Sequence, residues 1–411
     1  MLLNDNSIQI QANKSSHLVS IALPASKSMA NRALIINALG GNKGNLERLS
    51  EARDTQTMHR LLLLNEPVWD VLDAGTTMRF LTAYAGVLGL DKTLTGTPRM
   101  QERPIGILVD ALCELGANIS YSGKKGYPPL KIGAFGGQRT DSLTVRGDIS
   151  SQYISALLMI APILPRGLNI TLEGKIGSRP YIEMTRKVME RFGVRTFWKG
   201  EDSIEIPPQT YLSADITIER DWSAASYWYS IVALGDGTEV FLEDLTDDSI
   251  QGDRKMADLM SKLGVETVFT EKGAHLRQIS HNSSAEIDFS DCPDIAQTIA
   301  VICAAKGIRC VMLGLESLRI KETDRIAALQ LELAKIGSKL TETRNNEEWI
   351  LEPGNLTKPE SSFHTYHDHR MAMAFAPLAW KFPISIEDPS VVNKSYPGFW
   401  DDLKKAGAII S

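Results

Sequence analysis

One helical pattern recurs six times along this chain, and that recurrence restricts the fold more than any single motif. Each copy opens on polar residues and runs into small and apolar ones: SKSMANRALIINALGG, AGTTMRFLTAYAGVLG, SSQYISALLMIAPILPRG, DWSAASYWYSIVALGDG, DCPDIAQTIAVICAAKG and DHRMAMAFAPLAWK. Ser, Thr or Asp near the start supplies an N-cap, and in most copies a glycine closes the end. A short strand pattern follows each copy: NLERLS, KTLTGT, LNITLEG, EVFLEDL, CVMLGL and ISIEDP. A second helical pattern comes next, usually closed by glycine and a further strand. Its copies are TQTMHRLLLLNEPVWDVL, ERPIGILVDALCELGANIS, YIEMTRKVMERFGVRTFW, RKMADLMSKLGVETVF, DRIAALQLELAKIGSKLTE and YPGFWDDLKKAGAII. The first helices begin near residues 28, 76, 151, 223, 294 and 369. After a shorter first interval the period is about 70 residues, too long for the common solenoids. Six α/β units are also too many for one simple sheet. Two domains of three units each is the economical arrangement. No Pro- or Ser-rich linker separates them, so the join must be compact.

At 411 residues, 43% hydrophobic and 23% charged, the chain has ample core for two domains. A net charge of −6 argues against nucleic acid or an anionic membrane as the main partner. No run of about 20 apolar residues exists to span a bilayer. The opening MLLNDNSIQIQANKSSH lacks the basic flank and long apolar stretch of a signal peptide. Cys113, Cys292, Cys303 and Cys310 form no CxxC pair and read as buried thiols in a reducing cytoplasm.

Against this acidic background, seven cations sit at the repeated helix starts: Lys27, Arg32, Arg99, Lys321, Arg325, Arg370 and Lys394. A cation at a helix N-terminus opposes the helix dipole, and an anionic ligand removes the conflict. The pattern therefore points to small polyanions. Each motif also has a plainer reading. LPASKSMANRAL, with Lys27 and Arg32, is either an anion site with Ser26 or Ser28 capping, or a helix start with two exposed cations. LDAGTTMRF sets Gly75 and Thr76 at a helix entrance, for close approach of a ligand or as an ordinary turn. LTGTPRMQERP holds Arg99 and Arg103 around Pro98 and Pro104. Arginine there suits carboxylate or phosphate, but a surface turn with an Arg–Glu102 ion pair is equally open. Ser150, Ser151 and Gln152 exceed what capping one helix requires. Lys321, Glu322, Thr323, Asp324 and Arg325 are consecutive between apolar flanks, unlike a simple solvated charge run. Glu322 and Asp294 can divide general-acid and general-base work. HTYHDHRMAM carries His364, His367, Asp368, His369 and Arg370, but no second His/Cys cluster completes a metal site, so no metal is expected. No GxxxxGK[ST] and no GxGxxG after a strand occurs.

In combination and in this order, LPxSKSxxNRAL, LTGxPRMxERPI, SSQ, SRPYI, KETDR and DHRMAM resemble the EPSP synthases (3-phosphoshikimate 1-carboxyvinyltransferases) of the enolpyruvyl transferase family. The resemblance runs over nearly the whole chain. It implies an α/β fold of two domains, each of three βαβαββ units in an inside-out α/β barrel. One domain would cover residues 25–219; the other would combine 1–24 with 220–411 and carry Asp294 and Glu322, with the active site in the interdomain cleft. The implied reaction moves the carboxyvinyl group of phosphoenolpyruvate (PEP) to the 5-hydroxyl of shikimate 3-phosphate. It implies no cofactor, only small-molecule partners and a monomer.

The resemblance also distributes roles. Lys27 is implied in both substrates and in acid–base transfer. Ser28, Arg32, Ser150, Ser151, Ser178, Tyr181, Ser317 and Lys321 match the shikimate 3-phosphate side. Gly75, Arg99, Arg325, Arg370 and Lys394 match the PEP side, with Gln152 between the substrates. Asp294 is the implied base for the 5-hydroxyl, Glu322 the proton donor to and acceptor from PEP C3, and His369 a hydrogen-bonding support. Three positions depart from the commonest family pattern. Asp73 stands where Asn is frequent and should weaken anion binding unless it is paired or turned away. Phe80 replaces a frequent Pro, and Ser317 stands where some members have Asn. The related UDP-N-acetylglucosamine enolpyruvyl transferases use a loop cysteine, and none lies beside PRMQERP here. A non-catalytic anion-binding relative would not need Asp294 and Glu322.

Overall fold

The structure is a computed structural model and describes residues 7–13, 18–148 and 150–411. The chain forms two compact units. One is Ala25–Glu219; the other is Arg220–Ser411 together with the chain up to Pro24.

The six first helices of the repeat are α1 (Lys27–Leu39), α2 (Gly75–Leu88), α3 (Ser151–Ile160), α4 (Trp222–Leu234), α5 (Ala296–Lys306) and α6 (His369–Phe375). Small and apolar residues all round make them buried on nearly every face; all of Trp222–Leu234 but Ser223 is buried. The second helices carry charge on one side and bury only the other, as in Arg53–Leu63 and Arg179–Arg191. In each unit the three first helices pack on one another, α1, α2 and α3 in one and α4, α5 and α6 in the other. The strands lie outside this helical centre.

Four repeats close as four-stranded sheets with one topology. In Ala25–Glu219, Val68–Asp70 runs parallel to Lys92–Thr95, which pairs antiparallel with Leu130–Gly133, and that strand with Asn118–Tyr121. The spatial order is therefore first, second, fourth, third, with a helix in each of the first two connections. Strands Ser142–Arg146, Leu168–Glu173, Ser203–Ile206 and Phe197–Lys199 repeat that order. In the other unit, Leu18–Ile21 and Glu239–Glu243 open one such sheet, and Ser284–Asp288 and Arg309–Leu313 open the next.

The remaining two repeats differ from a full βαβαββ unit. The last is assembled from distant pieces: Phe363 bridges Ile386, and Ser7–Ala12 lies between Ile384–Glu387 and Ala408–Ile410. In the first, the short strand Leu46–Glu47 runs parallel to Ile216–Thr217. Its second helical pattern also stops early. Helix Arg53–Leu63 ends before Asn65-Glu66-Pro67, and Val68–Asp70 is a strand of the next sheet. Pro67 lacks an N–H and forces its predecessor extended, so the helix cannot run through PVWDVL. Among the described residues no helix is long and apolar enough to cross a membrane.

Candidate active site

In Ala25–Glu219 the candidate residues gather at the starts of α1, α2 and α3. Ser26 caps α1, its Oγ accepting from the Met29 N–H at 3.4 Å. Lys27 Nζ lies 3.1 Å from Asp54 Oδ2. Arg32 is 2% exposed, and its partners are all neutral. Its Nε donates to Thr185 Oγ1 (2.7 Å), one terminal nitrogen to the Ser28 carbonyl (2.8 Å), and the other to Ser155 Oγ (3.0 Å) and the Tyr181 carbonyl (3.4 Å). The Phe80 and Tyr181 rings lie 5.5 and 5.7 Å from the guanidinium carbon. Phe80 thus backs this cation. Among the described residues no carboxylate pairs with Arg32. Burial pulls its pKa down to about 10, which still leaves it charged at neutral pH. A desolvated cation held only by dipoles is a place where an added anion gains energy.

A second such cation stands at the start of α2. Arg103 is 8% exposed, and its Nε has no hydrogen-bond partner. Its guanidinium presses so closely on Gly75 that a Cβ there would lie 2.6 Å from one terminal nitrogen and 2.7 Å from the other. Arg79 ties the surroundings together, donating to the Gly75 carbonyl (3.0 Å) and the Pro104 carbonyl (2.9 Å). Tyr153 OH also donates to Pro104 O. Arg99 is placed differently: it is more than half exposed and paired with Glu102 at 3.0 Å. Pro98 starts the short helix Pro98–Gln101 and leaves Arg99 on its solvent side. The Arg99–Glu102 ion pair is thus present, and Arg103 is the arginine of this motif that lies against Gly75. At α3, Ser150 Oγ accepts from the Gln152 N–H, Ser151 opens the helix, and Gln152 Nε2 donates to Thr76 Oγ1 at 3.1 Å. Ser178 precedes helix Arg179–Arg191 in the left-handed region, at φ 53°. Asp73, the departure that threatened anion binding, is paired: Arg53 donates to both its oxygens, at 2.8 and 3.1 Å.

The unit containing Arg220–Ser411 is built on the opposite plan, with carboxylates interleaved among the cations. Arg325, 1% exposed, opens helix Arg325–Ala334. It donates to Asp368 Oδ2 (2.7 Å), Glu322 Oε2 (2.8 Å) and Asp294 Oδ1 (3.2 Å). Burial opposes its charge, but Asp368 and Glu322 outweigh that and raise its pKa further. Arg370 reaches Asp294 Oδ2 at 3.0 Å and its carbonyl at 2.8 Å, and Lys321 Nζ is 3.9 Å from Asp294 Oδ1. Burial lowers the Lys321 pKa, partly offset by Asp294. Lys394 donates to the His367 carbonyl at 3.0 Å. Ser317 lies half-buried in the 3-10 turn Glu316–Ile320, just ahead of Lys321.

The loop before α6 is strongly bent, with Tyr366 and His367 both at positive φ. Buried Glu332 holds it, accepting from Tyr366 OH (2.7 Å), the His364 N–H (3.1 Å) and Lys335 Nζ (2.7 Å). Asp368 then caps α6, accepting from the Arg370 N–H. The three histidines face three carboxylates: His364 faces Glu387, His367 faces Asp388, and buried His369 is 3.8 Å from Asp368. No group of His, Cys, Asp and Glu among the described residues is arranged to hold a metal. Cys113 is only half-buried, with its Sγ turned to the Ile119 carbonyl, whereas the other three cysteines are buried.

Several partners were invisible in the motifs. Asp54, Ser155 and Thr185 come from distant segments with no distinctive spacing. Asp253 is another: it is buried, accepts from Ser223 Oγ, and is pushed up to about 7 by burial and then by Asp294. Arg103 lay within a motif already singled out, and its position just before Pro104 was the signal available.

The family profile EPSP synthase (3-phosphoshikimate 1-carboxyvinyltransferase) matches residues 62–403. The 3-phosphoshikimate 1-carboxyvinyltransferase of Bacteroides fragilis is 48% identical over 396 residues, covering 94% of this chain and 95% of that one. That of Neisseria meningitidis serogroup B is 36% identical, covering 93% and 94%. Among solved structures, EPSP synthase from Acinetobacter baumannii superposes with a TM-score of 0.76 at 20% identity, covering 99% of this chain and 100% of that one. The enolpyruvyl transferase NikO from Streptomyces tendae has a TM-score of 0.74 at 12% identity, covering 99% and 98%. These two structural likenesses establish a shared fold, and the sequence matches establish more: the chain belongs to the EPSP synthase (3-phosphoshikimate 1-carboxyvinyltransferase) family.

Proposed function

We infer that this protein transfers the carboxyvinyl group of PEP to the 5-hydroxyl of shikimate 3-phosphate, releasing phosphate. The observation that carries this reading is the pair of buried cations, Arg32 and Arg103, that have no carboxylate partner among the described residues. Both substrates bring carboxylate and phosphate groups, so a site for them needs cations whose charge is not already spent on the protein.

The roles follow from chemistry. Glu322 delivers a proton to C3 of PEP as the 5-hydroxyl oxygen bonds to C2, and Asp294 takes the hydroxyl proton. In the resulting tetrahedral adduct the C2–O bond to phosphate breaks. Glu322 removes a C3 proton, and the double bond returns. Arg325 touches both carboxylates and thereby sets their separation. Lys27, Ser28, Arg32, Ser150, Ser151, Ser178 and Tyr181 bind shikimate 3-phosphate, with Lys321 and Ser317 on that side. Gly75, Arg99, Arg325, Arg370 and Lys394 bind PEP, with Arg103 beside Gly75 adding a further cation, and Gln152 contacts both substrates. His369 supports Glu322. Residues 25–219 serve as the domain of the shikimate side. The other unit supplies the proton-transferring carboxylates.

A UDP-N-acetylglucosamine enolpyruvyl transferase is disfavoured because no cysteine lies beside the PRMQERP turn and Cys113 falls well past it, within helix Gly106–Leu115. The deciding experiment is phosphate release from PEP with shikimate 3-phosphate or UDP-N-acetylglucosamine as acceptor. Release with the former only is expected; none with it would sink the reading.

A further inference from the structure

Helix Arg53–Leu63 begins with two adjacent residues of opposite charge that reach in different directions. Asp54 reaches back to Lys27 at the start of α1, with 3.1 Å between Nζ and Oδ2. Arg53 reaches forward to Asp73, just before α2, and donates to both its oxygens. The backbone ties in as well: Thr77 Oγ1, in the first turn of α2, donates to the Asp54 carbonyl at 3.1 Å, and Thr57 Oγ1 to the Arg53 carbonyl at 2.8 Å. This one helix start is therefore bonded to two other helix starts, both carrying residues assigned above to substrate.

Asp73 has an awkward place for a carboxylate. It lies two residues ahead of Gly75, the helix entrance against which the Arg103 guanidinium lies and where an anion is favoured. Left uncompensated, it would oppose the charge of PEP. We propose that Arg53 is a specificity-determining residue for PEP that acts through Asp73: it neutralises that carboxylate and holds it off the entrance of α2, so that the anion meets Gly75 and Arg103 without a competing negative charge. Asp54 does the converse for Lys27, leaving the pair Arg53-Asp54 with no net charge of its own. The proposal rests on the functional reading above.

Arg53 is 44% exposed and Asp73 21%, so solvent screens the pair and the effect is modest. Arg53→Ala should raise KM for PEP about three- to fivefold at low ionic strength, the range of a partly exposed ion pair. kcat and KM for shikimate 3-phosphate should change by less than about twofold. Asp73→Asn alone should leave KM for PEP unchanged or lower it. In the Asp73→Asn background, Arg53→Ala should lose most of its effect, because the charge it answers is gone. In about 0.5 M KCl the single-variant effect should shrink toward unity.

An Arg53→Ala effect of equal size in both backgrounds would overturn the proposal, because Arg53 would then act directly on substrate or through the fold. Equal rises in KM for both substrates would overturn it too. Failure of the wild-type protein to release phosphate from PEP and shikimate 3-phosphate would instead reject the functional reading itself. A melting temperature for Arg53→Ala within about 2 °C of wild type accompanies the expected result.

Discussion

Gly75→Ala probes the tightest contact in the site. An alanine Cβ would stand 2.6, 2.7 and 2.8 Å from the two terminal nitrogens and the central carbon of the Arg103 guanidinium. Ordinary contacts between such atoms are about 3.5 Å, so the guanidinium must withdraw by roughly 0.8 Å. It is the end of a long side chain and can move, so the fold should survive. The charge-assisted hydrogen bond that the proposed assignment gives Arg103 to PEP should not survive intact. Such a bond is worth about 1.5–3 kcal/mol, and losing it weakens binding by about 10- to 150-fold. The assay is steady-state phosphate release with PEP varied at saturating shikimate 3-phosphate, then the reverse. KM for PEP should rise at least about tenfold while KM for shikimate 3-phosphate stays within about twofold. Arg103→Ala should produce a similar rise, and adding Gly75→Ala to it should do little more. A KM for PEP within about twofold of wild type, or full additivity of the two substitutions, would refute the reasoning.

Three other substitutions test separate parts of the structure. Glu322→Gln should lower kcat by about 10²-fold or more while changing PEP affinity far less; a loss confined to binding would remove Glu322 from proton transfer. Asp253 is an acid whose pKa rises from 3.8 to about 7 on folding. The folded state therefore holds its proton more tightly, and this group's contribution to stability falls as pH rises from about 4 to about 7. Asp253→Asn should gain on wild type in melting temperature between about pH 5 and pH 8, and a constant difference over that range would contradict the assignment. Glu332→Ala strands three donors, one of them charged, and should destabilise the protein by about 3 kcal/mol in chemical denaturation. A change under about 1 kcal/mol would show that the bent loop before α6 does not depend on Glu332.

The repeat was legible because each copy states the same thing several ways. Cap residue, small-residue helix, closing glycine and strand agree, so the starts of α1 to α6 fall within two residues of those read from the patterns. Local rules failed where a neighbour decided the outcome. TQTMHRLLLLNEPVWDVL looks helical by periodicity, but Pro67 cuts it and a strand from the next repeat captures Val68–Asp70. Arg99 and Arg103 have the same chemistry in one motif, and only the turn direction after Pro98 separates the exposed one from the buried one. Thr185 and Ser155 carry no sequence signal at all. Their hydroxyls matter because Arg32 packs between them.

The start of α2 has one more consequence. Four of the six repeat helices receive a side-chain cap, from Ser26, Ser150, Asp221 and Asp368. Ala74, which precedes α2, offers none, and the Arg103 guanidinium lies against Gly75, the first residue of the helix. On the proposed assignment, a phosphate or carboxylate of PEP arriving there would supply acceptors, making the substrate the helix's removable cap. Local order and ligand affinity would then be one quantity: α2 would be completed when PEP arrives and left unfinished when phosphate departs. Turnover would thus repeatedly finish and unfinish one end of a helix whose body remains locked in the core.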